Sequence, residues 1–401
     1  MNVLILGSGL AGTLAAKTVR ELDESAEIEI LGEERYPYYP RPNLIEYLAG
    51  RLPYDKLFAF PEGWADRQRI TVRPSEKAVR LWPGERRVET VSGAPRFYDA
   101  LLLATGARAA LPPVEGIAGP GVFVLRTLDD ANALIEHLGT RSRVAVLGGG
   151  LLGLEVARAV RGRGVEVVVV EYFDRLLPRQ LDPAAAAILR AQFEKDGIAI
   201  RLGAVVKEIF GVGGVQGLRL ESGDRVEADT VVVAAGIVPE TAVAREAGLR
   251  VGRGIVVDDH MATSAPGVFA AGDVTEHRGR IHGIIPAAFE QARTAAHGLT
   301  GRQKPYAGTV PLNTLKVAGL YLTSVGEIDA LGEGAEAFVR SVPETGLYKK
   351  IVLRDGRLVG GIWMGTKNGA AEISRLVALA KPVETLKADL LADDFDFTEI
   401  L

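Results

Sequence analysis

The chain contains no cysteine in its 401 residues. That absence excludes a redox-active disulfide, a cysteine sulfenic acid, and any thiolate-bound iron–sulfur cluster or zinc in these residues. Electrons handled here must therefore sit on a bound organic cofactor, and the count agrees with a reducing compartment. A dominant charge is lacking too: 47 Lys+Arg stand against 51 Asp+Glu, a formal net charge of −4. Such a balance gives no general attraction to nucleic acid or to anionic lipid. Long apolar runs are also missing, and none reaches the ~18 residues of a membrane helix. The apolar stretch 3–16 is broken by three glycines, follows no basic segment, and leads into charged residues without a small-residue cleavage site. It does not read as a secretory leader, so a cytoplasmic protein is expected. What is there is globular, with 47% hydrophobic and 24% charged residues. The length predicts two or three domains and a large buried core.

Residues 2–6 form an apolar run that stops at Gly7, residues 10–22 show helical spacing, and a second apolar run, 28–31, ends in Gly32-Glu33-Glu34. This is strand, helix, strand. The same layout returns at 143–147, 151–163 and 165–170, which ends in Glu171. Two such units suggest a duplicated nucleotide-binding architecture. Two further apolar strands, 101–106 (LLLATG) and 231–236 (VVVAAG), each precede a proline-containing stretch, Leu111-Pro112-Pro113 and Val238-Pro239. These are expected crossings between domains. Towards the C-terminus, 312–325 and 347–364 alternate like antiparallel strands, with Arg354-Asp355-Gly356-Arg357 as a hairpin turn, and an amphipathic helix is predicted over 370–380.

Gly7-Ser8-Gly9-Leu10-Ala11-Gly12 and Gly148-Gly149-Gly150-Leu151-Leu152-Gly153 both read GxGxxG. The first glycine makes a tight turn, the second lets backbone N–H groups approach a pyrophosphate, and the third brings helix and strand together. The phosphate charge then meets the positive end of the helix dipole. With 47 glycines in the chain, about 0.6 such matches arise by accident, so one loop alone proves little. Here both follow an apolar run, open a helix and precede an acid: Glu33 lies 21 residues beyond Gly12, and Glu171 lies 18 beyond Gly153. Two dinucleotide sites are expected. A carboxylate at Glu171 accepts from an adenosine ribose and repels a 2′-phosphate, favouring NADH over NADPH, with Arg175 and Arg179 close enough to moderate that preference.

At this point the chain resembles the two-dinucleotide-binding-domain flavoproteins, the pyridine nucleotide-disulfide oxidoreductase superfamily. The resemblance rests on Gly7 to Gly12, Ala104-Thr105-Gly106, the stretch from Gly148 to Glu155, and the run from Thr263 to Asp273, TSAPGVFAAGD. Within that group, Pro37-Tyr38-Tyr39-Pro40-Arg41-Pro42, Thr314-Leu315-Lys316 and the C-terminal region are similar to NADH:rubredoxin reductases and to the flavin-binding part of nitrite reductase large subunits.

The resemblance implies an α/β protein with two Rossmann-like domains, for FAD and NAD(P), plus a C-terminal α+β domain. The FAD domain is split over 1–108 and 238–309, the NAD(P) domain spans 109–237, and the last domain spans 310–401. FAD lies on the first loop (Gly7, Gly9, Leu10, Ala11, Gly12, with Glu33 or Glu34), and Ala104, Thr105, Gly106 and Gly272 belong to the same site. NAD(P)H lies on the second loop (Gly148, Gly150, Leu151, Leu152, Gly153, with Glu171 and Gly236). Asp273 is implied to bond the flavin's ribityl chain, and Ala78 and Val79 to flank its adenine. Arg41 and Pro42 lie along the flavin, and Lys316 near its edge. The helix that begins around Ile285 and Pro286 and runs through Gln291 aims its N-terminus at the flavin's pyrimidine end, and Glu155 is the acid near flavin and nicotinamide.

The implied activity takes a hydride from NADH to FAD, with Glu155, Arg41 and Lys316 as the catalytic-site residues. Electrons then pass to a small carrier protein such as rubredoxin. Relatives that use cysteine chemistry are set aside by the missing residue. Nitrite reductases add cysteine-rich modules downstream, whereas the sequence here stops at Leu401, so the rubredoxin-reductase-like branch is expected. A peroxide-forming NAD(P)H oxidase and a redox-sensing, partner-binding flavoprotein resembling apoptosis-inducing factor are the alternatives.

Two other features read as structural. His277 and His282 with Glu276 have loose spacing on a glycine-containing loop, so solvent-exposed, unliganded histidines and no metal are expected. Arginines over 67–73 and 158–163 read as solvated faces, with docking of an acidic carrier as the sharper alternative.

Overall fold

The computed structural model describes residues 1–139, 143–317, 319–383 and 386–400. The chain divides into two compact units. One comprises Met1–Leu44, Leu52–Arg108 and Ile237–Thr309; the other comprises Ile45–Arg51, Ala109–Gly236 and Val310–Leu401.

The first unit is built on a five-stranded parallel sheet in the order Val268–Ala270, Ala100–Leu103, Asn2–Leu6, Glu27–Leu31, Ile70–Arg73. Its central strands read as continuous apolar runs because both faces are covered, and Val3 to Leu6 and Leu101 to Leu103 are buried. One face carries the helices Leu10–Leu22 and Ile285–Leu299 packed side by side. Small residues permit that closeness: Ala11, Ala15 and Ala16 on one helix, Ala288, Ala292 and Ala295 on the other, all buried. The unit also holds an antiparallel ribbon of Ala78–Trp82, Arg87–Thr90 and Pro95–Phe97 and a parallel pair of Ile255–Val257 and Thr275–His277.

The second unit repeats the plan. Its parallel sheet runs Ile198–Arg201, Glu166–Val170, Arg143–Leu147, Thr230–Val233, Val122–Val124. It too has a three-stranded antiparallel ribbon, formed by Val206–Phe210, Gly217–Leu220 and Arg225–Glu227. The edge strand differs in origin. In the first sheet it comes late in the chain, at Val268–Ala270, and in the second it precedes the glycine loop, at Val122–Val124.

The second unit also holds the C-terminal antiparallel sheet, ordered Leu312–Val317, Leu320–Gly326, Arg357–Met364, Leu347–Arg354, Ala335–Val342, with the helix Ala370–Ala378. It has a hydrophobic cluster of its own around Ile351, Trp363 and Leu376. The turn expected at residues 354–357 is present: Arg354 pairs with Arg357, and Asp355 and Gly356 take φ of +49° and +72°. A two-residue turn with both central φ positive matches the twist of the flanking strands. The strand Ala335–Val342 has no counterpart among the sequence-based expectations. Its half-exposed sequence, AEAFVRSV, carries little apolar alternation.

Candidate functional site

In the first unit, register brings distant motifs to one place. Leu6 pairs with Leu103, and Leu103 with Ala270, so the loop 7–12, Ala104-Thr105-Gly106 and Gly272-Asp273 all emerge from the C-terminal edge of one parallel sheet. Ligands bind at that edge in open α/β sheets. Gly7 has φ +116° and donates its N–H to Leu31 O at 2.8 Å. A Cβ on Gly7 would sit 2.1 Å from Ala104 O, and one on Gly12 would sit 1.9 Å from Gly7 O. Gly9 is different: a Cβ there would meet nothing within 4 Å. Two glycines thus close the turn and the third opens a space. The helix Leu10–Leu22 begins at Gly9 with no side-chain cap, leaving backbone N–H groups free to meet an anion.

The other expected contributors are fastened around this space. Ala104 N–H donates to Leu6 O at 2.8 Å, and the Thr105 hydroxyl donates to Glu240 O at 2.7 Å. Gly272 N–H donates to Gln291 Oε1 at 2.9 Å, and the Thr275 hydroxyl reaches both that oxygen and Gly272 O. Gln291 is fully buried in the helix Ile285–Leu299, so this amide fixes the turn that carries Asp273. The sequence reading missed that anchor, since a lone glutamine has no local signature. The same helix starts at exposed Ile285, with Pro286 in its first turn and no side-chain cap. By contrast, the helices Leu128–Leu138 and Pro183–Lys195 are capped by Thr127 and Asp182.

Glu34 accepts from Arg41 Nη2 at 2.6 Å and from the Tyr39 hydroxyl, which itself accepts from Arg41 Nη1 at 2.6 Å. Arg41 is thereby aligned rather than loose, with Pro42 exposed beside it. Glu33 points to solvent and pairs with Lys77 at 2.8 Å. A bulge between Ala78 and Arg80 takes Val79 out of the regular register of the ribbon.

The second loop repeats the first. Gly148 has φ +118° and donates to Val170 O at 2.9 Å. A Cβ on Gly148 would lie 2.4 Å from Ala234 O, one on Gly153 would lie 2.0 Å from Gly148 O, and one on Gly150 would meet nothing within 4 Å. Gly150 is an uncapped helix start, followed by half-buried Leu151 and exposed Leu152. Ala234 N–H donates to Leu147 O as Ala104 does to Leu6, which makes Gly236 the counterpart of Gly106.

The acids, however, are not equivalent. Glu171 N–H donates to Arg201 O at 2.8 Å, and the residue with the matching bond in the first unit is Gly32, to Arg73 O at 2.9 Å. Glu33 and Glu34 lie one and two residues further on. The Glu171 carboxylate is buried and accepts from the Gly149 and Phe173 N–H groups. Arg175 donates to the carbonyls of Leu181 and Pro178, both at 3.3 Å, so its charge is directed into its own loop.

Glu155 lies one turn into the second-loop helix, half-buried. Burial first, and the Glu46 carboxylate second, push its carboxyl up to about 7. Lys316 is on the strand Leu312–Val317, and its side chain falls outside the described part of the structure.

Two expectations need correction. His277 is not solvent-exposed: it is 2% accessible, and its Nε2 bonds Asp259 Oδ1 at 2.8 Å, because the strand Thr275–His277 packs it inward beside Tyr306. The arginines near 158–163 are not a simply solvated face either. Arg161 donates to Val165 O and Arg163 to Leu48 O. With Arg51, Arg158 and Asp196, Arg161 lines an open cleft of about 540 Å³ at the far end of the second-loop helix, remote from Gly150. Within it Arg161 ties the carbonyls of Asp196 and Val165, and Arg51 pairs with the Glu46 carboxylate at 2.7 Å.

Residues 1–297 match the family model described as pyridine nucleotide-disulphide oxidoreductase. The chain belongs to that family. Residues 311–380 match the rubredoxin NAD+ reductase C-terminal domain. The chain is 33% identical over 393 residues to a nitrite reductase [NAD(P)H] of Bacillus subtilis, covering 97% of this chain and 49% of that protein. It is 35% identical over 336 residues to a rubredoxin-NAD(+) reductase of Ectopseudomonas oleovorans, covering 82% of this chain and 87% of that one. The chain thus spans about half the length of the nitrite reductase it matches. A solved ferredoxin reductase from Rhodopseudomonas palustris superposes with a TM-score of 0.90 at 28% identity, covering 99% of each chain. This member of the disulphide oxidoreductase family has no cysteine. Among the described residues no helix is long and apolar enough to cross a membrane.

Proposed function

We propose that this protein is an FAD-dependent NAD(P)H oxidoreductase that passes electrons to a small carrier protein such as rubredoxin. The observation that carries the reading is the repeated cradle: Gly7, Gly9 and Gly12 do in one unit what Gly148, Gly150 and Gly153 do in the other. A donor and an acceptor dinucleotide need two such sites, and these residues offer no cysteine to form a third redox centre between them. The match of residues 311–380 supports the carrier-protein assignment.

When bound, the nicotinamide supplies a hydride, and the flavin accepts it and releases electrons singly. The chain's own work is positioning. The uncapped N–H groups after Gly9 hold one pyrophosphate, and those after Gly150 the other. Asp273, on the turn fixed by Gln291, accepts from the flavin's ribityl hydroxyls. Val79, at the bulge, would flank the adenine, and Arg41 and Pro42 would lie along the flavin. The uncapped start of the helix Ile285–Leu299 stabilises negative charge at the flavin's pyrimidine end. Glu171 accepts from the ribose of NADH, and its charge disfavours a 2′-phosphate. Glu155 holds or releases a proton beside the nicotinamide. FAD is assigned to 1–108 with 238–309, and the nicotinamide nucleotide to 109–237.

The test is anaerobic reduction of the FAD-loaded protein by NADH, followed by mixing with oxidised rubredoxin, a quinone or oxygen. Fast reoxidation by the iron protein is the expected result. Reoxidation by oxygen alone, with peroxide formed, would instead make it an oxidase.

A further inference from the structure

The segment 172–182 joins Glu171 to the helix Pro183–Lys195, and it is fastened along its whole length. At its head, Glu171 accepts from the Phe173 N–H at 2.8 Å. In its middle, Leu177 N–H donates to Gly149 O at 3.0 Å, and Leu176 packs so closely on Gly149 that a Cβ there would meet Leu176 Cδ2 at 2.7 Å. Arg175 bridges the carbonyls of Pro178 and Leu181. At its tail, Asp182 caps the helix through the Ala185 N–H at 3.0 Å.

Asp182 also leaves its own fold. Its Oδ2 accepts from the Tyr348 hydroxyl at 2.5 Å and from Lys350 Nζ at 2.8 Å, both on the strand Leu347–Arg354 of the C-terminal sheet. All three side chains are buried, with Lys350 at 7% and Tyr348 at 2% accessibility. Burying an ammonium beside a carboxylate costs desolvation that an apolar pair would avoid, so packing alone gives no reason for these residue types. A directional bond does. Burial by itself raises the Asp182 pKa, yet the Ala185 N–H, Lys350 and Tyr348 outweigh it and hold the carboxyl below its ordinary value. The Asp182 carboxylate is therefore ionised at neutral pH.

We propose that Tyr348 and Lys350 are positioning residues for the second glycine loop. Through Asp182 they fix the segment 172–182 as the adenosine-side wall of the nicotinamide-nucleotide site. The inference rests on the reading of that loop as a dinucleotide site. It gives the C-terminal sheet a part in binding the electron donor, beyond any part in meeting the acceptor. The wall carries something for an adenine to meet: Tyr172 and Phe173 are exposed and set edge to face, with ring centroids 5.2 Å apart.

The experiment uses the FAD-loaded full chain with Lys350→Met and, as a milder change, Tyr348→Phe. Calorimetric titration with NAD+ reads affinity, hydrogen exchange without nucleotide reads the segment 172–182, and reduction by reduced nicotinamide mononucleotide reads the site without an adenosine. Lys350→Met is expected to weaken NAD+ binding about tenfold and Tyr348→Phe about threefold, the scale of a lost bond to a charged group transmitted to a neighbour. Exchange in 172–182 rises in step, and the mononucleotide reduces the flavin as it does in the wild type. Unchanged affinity and exchange in both variants overturns the proposal, and so does an equal loss towards the mononucleotide. A wild type that binds FAD but no NAD+ sinks the dinucleotide reading, and this inference with it.

Discussion

Glu155 carries the most displaced carboxyl beside the second loop, raised from 4.5 to about 7 by burial and by Glu46. Its unfolded form loses the proton first, so the folded state binds more protons between those values. Stability from this group is therefore intact below about pH 4.5 and lost as pH rises through 7. Glu155→Gln should gain on the wild type by up to ~3 kcal/mol between pH 5 and pH 8, since each tenfold difference in proton affinity is worth about 1.4 kcal/mol. Denaturant titrations at several pH values check this, and a constant difference between the proteins rejects it. Asp273→Ala should weaken FAD retention by ~1.5–3 kcal/mol, the value of a hydrogen bond to a charged group; unchanged affinity in apoprotein titrations rejects that role. Glu171→Ala should narrow the preference for NADH over NADPH, read as the ratio of their kcat/KM values, and an unaltered ratio counts against ribose recognition there. Glu171 was legible because it follows a strand that follows a glycine loop. The buried state of His277 was not, because its partner Asp259 lies 18 residues away with no motif linking them.

The glycine loops make separable predictions at the level of the element. Gly9→Ala points a methyl into space the protein leaves open. It should fold with near wild-type stability, within about 0.5 kcal/mol, yet lose FAD affinity. Gly12→Ala drives its methyl to 1.9 Å from Gly7 O, so the turn must shift, and thermal unfolding should register a loss of at least about 1–3 kcal/mol. Equal behaviour of the two variants contradicts the division of labour between cradle and hinge. Elements with strong periodicity were legible: both strand–helix–strand units, and the hairpin whose Asp355-Gly356 pair supplies two positive φ values. The edge strand Ala335–Val342 was not, because pairing with Leu347–Arg354 rather than an apolar pattern sets it.

Across the whole molecule, the sites depend on contacts between residues far apart in sequence. Register joins Gly7, Ala104 and Gly272, and hydrogen bonds join Asp182 to Lys350. Motifs announced the first set, since each has its own local signature. Nothing local announced the second, because an aspartate and a lysine 168 residues apart are ordinary until the fold brings them together. That the chain grips two dinucleotides is tested most directly by titrating the apoprotein with FAD and then, without oxygen, with NADH. One FAD per chain is expected to turn the protein yellow, and one equivalent of NADH to bleach it. A protein that stays colourless after FAD is added, or yellow after NADH, contradicts the two-cradle reading.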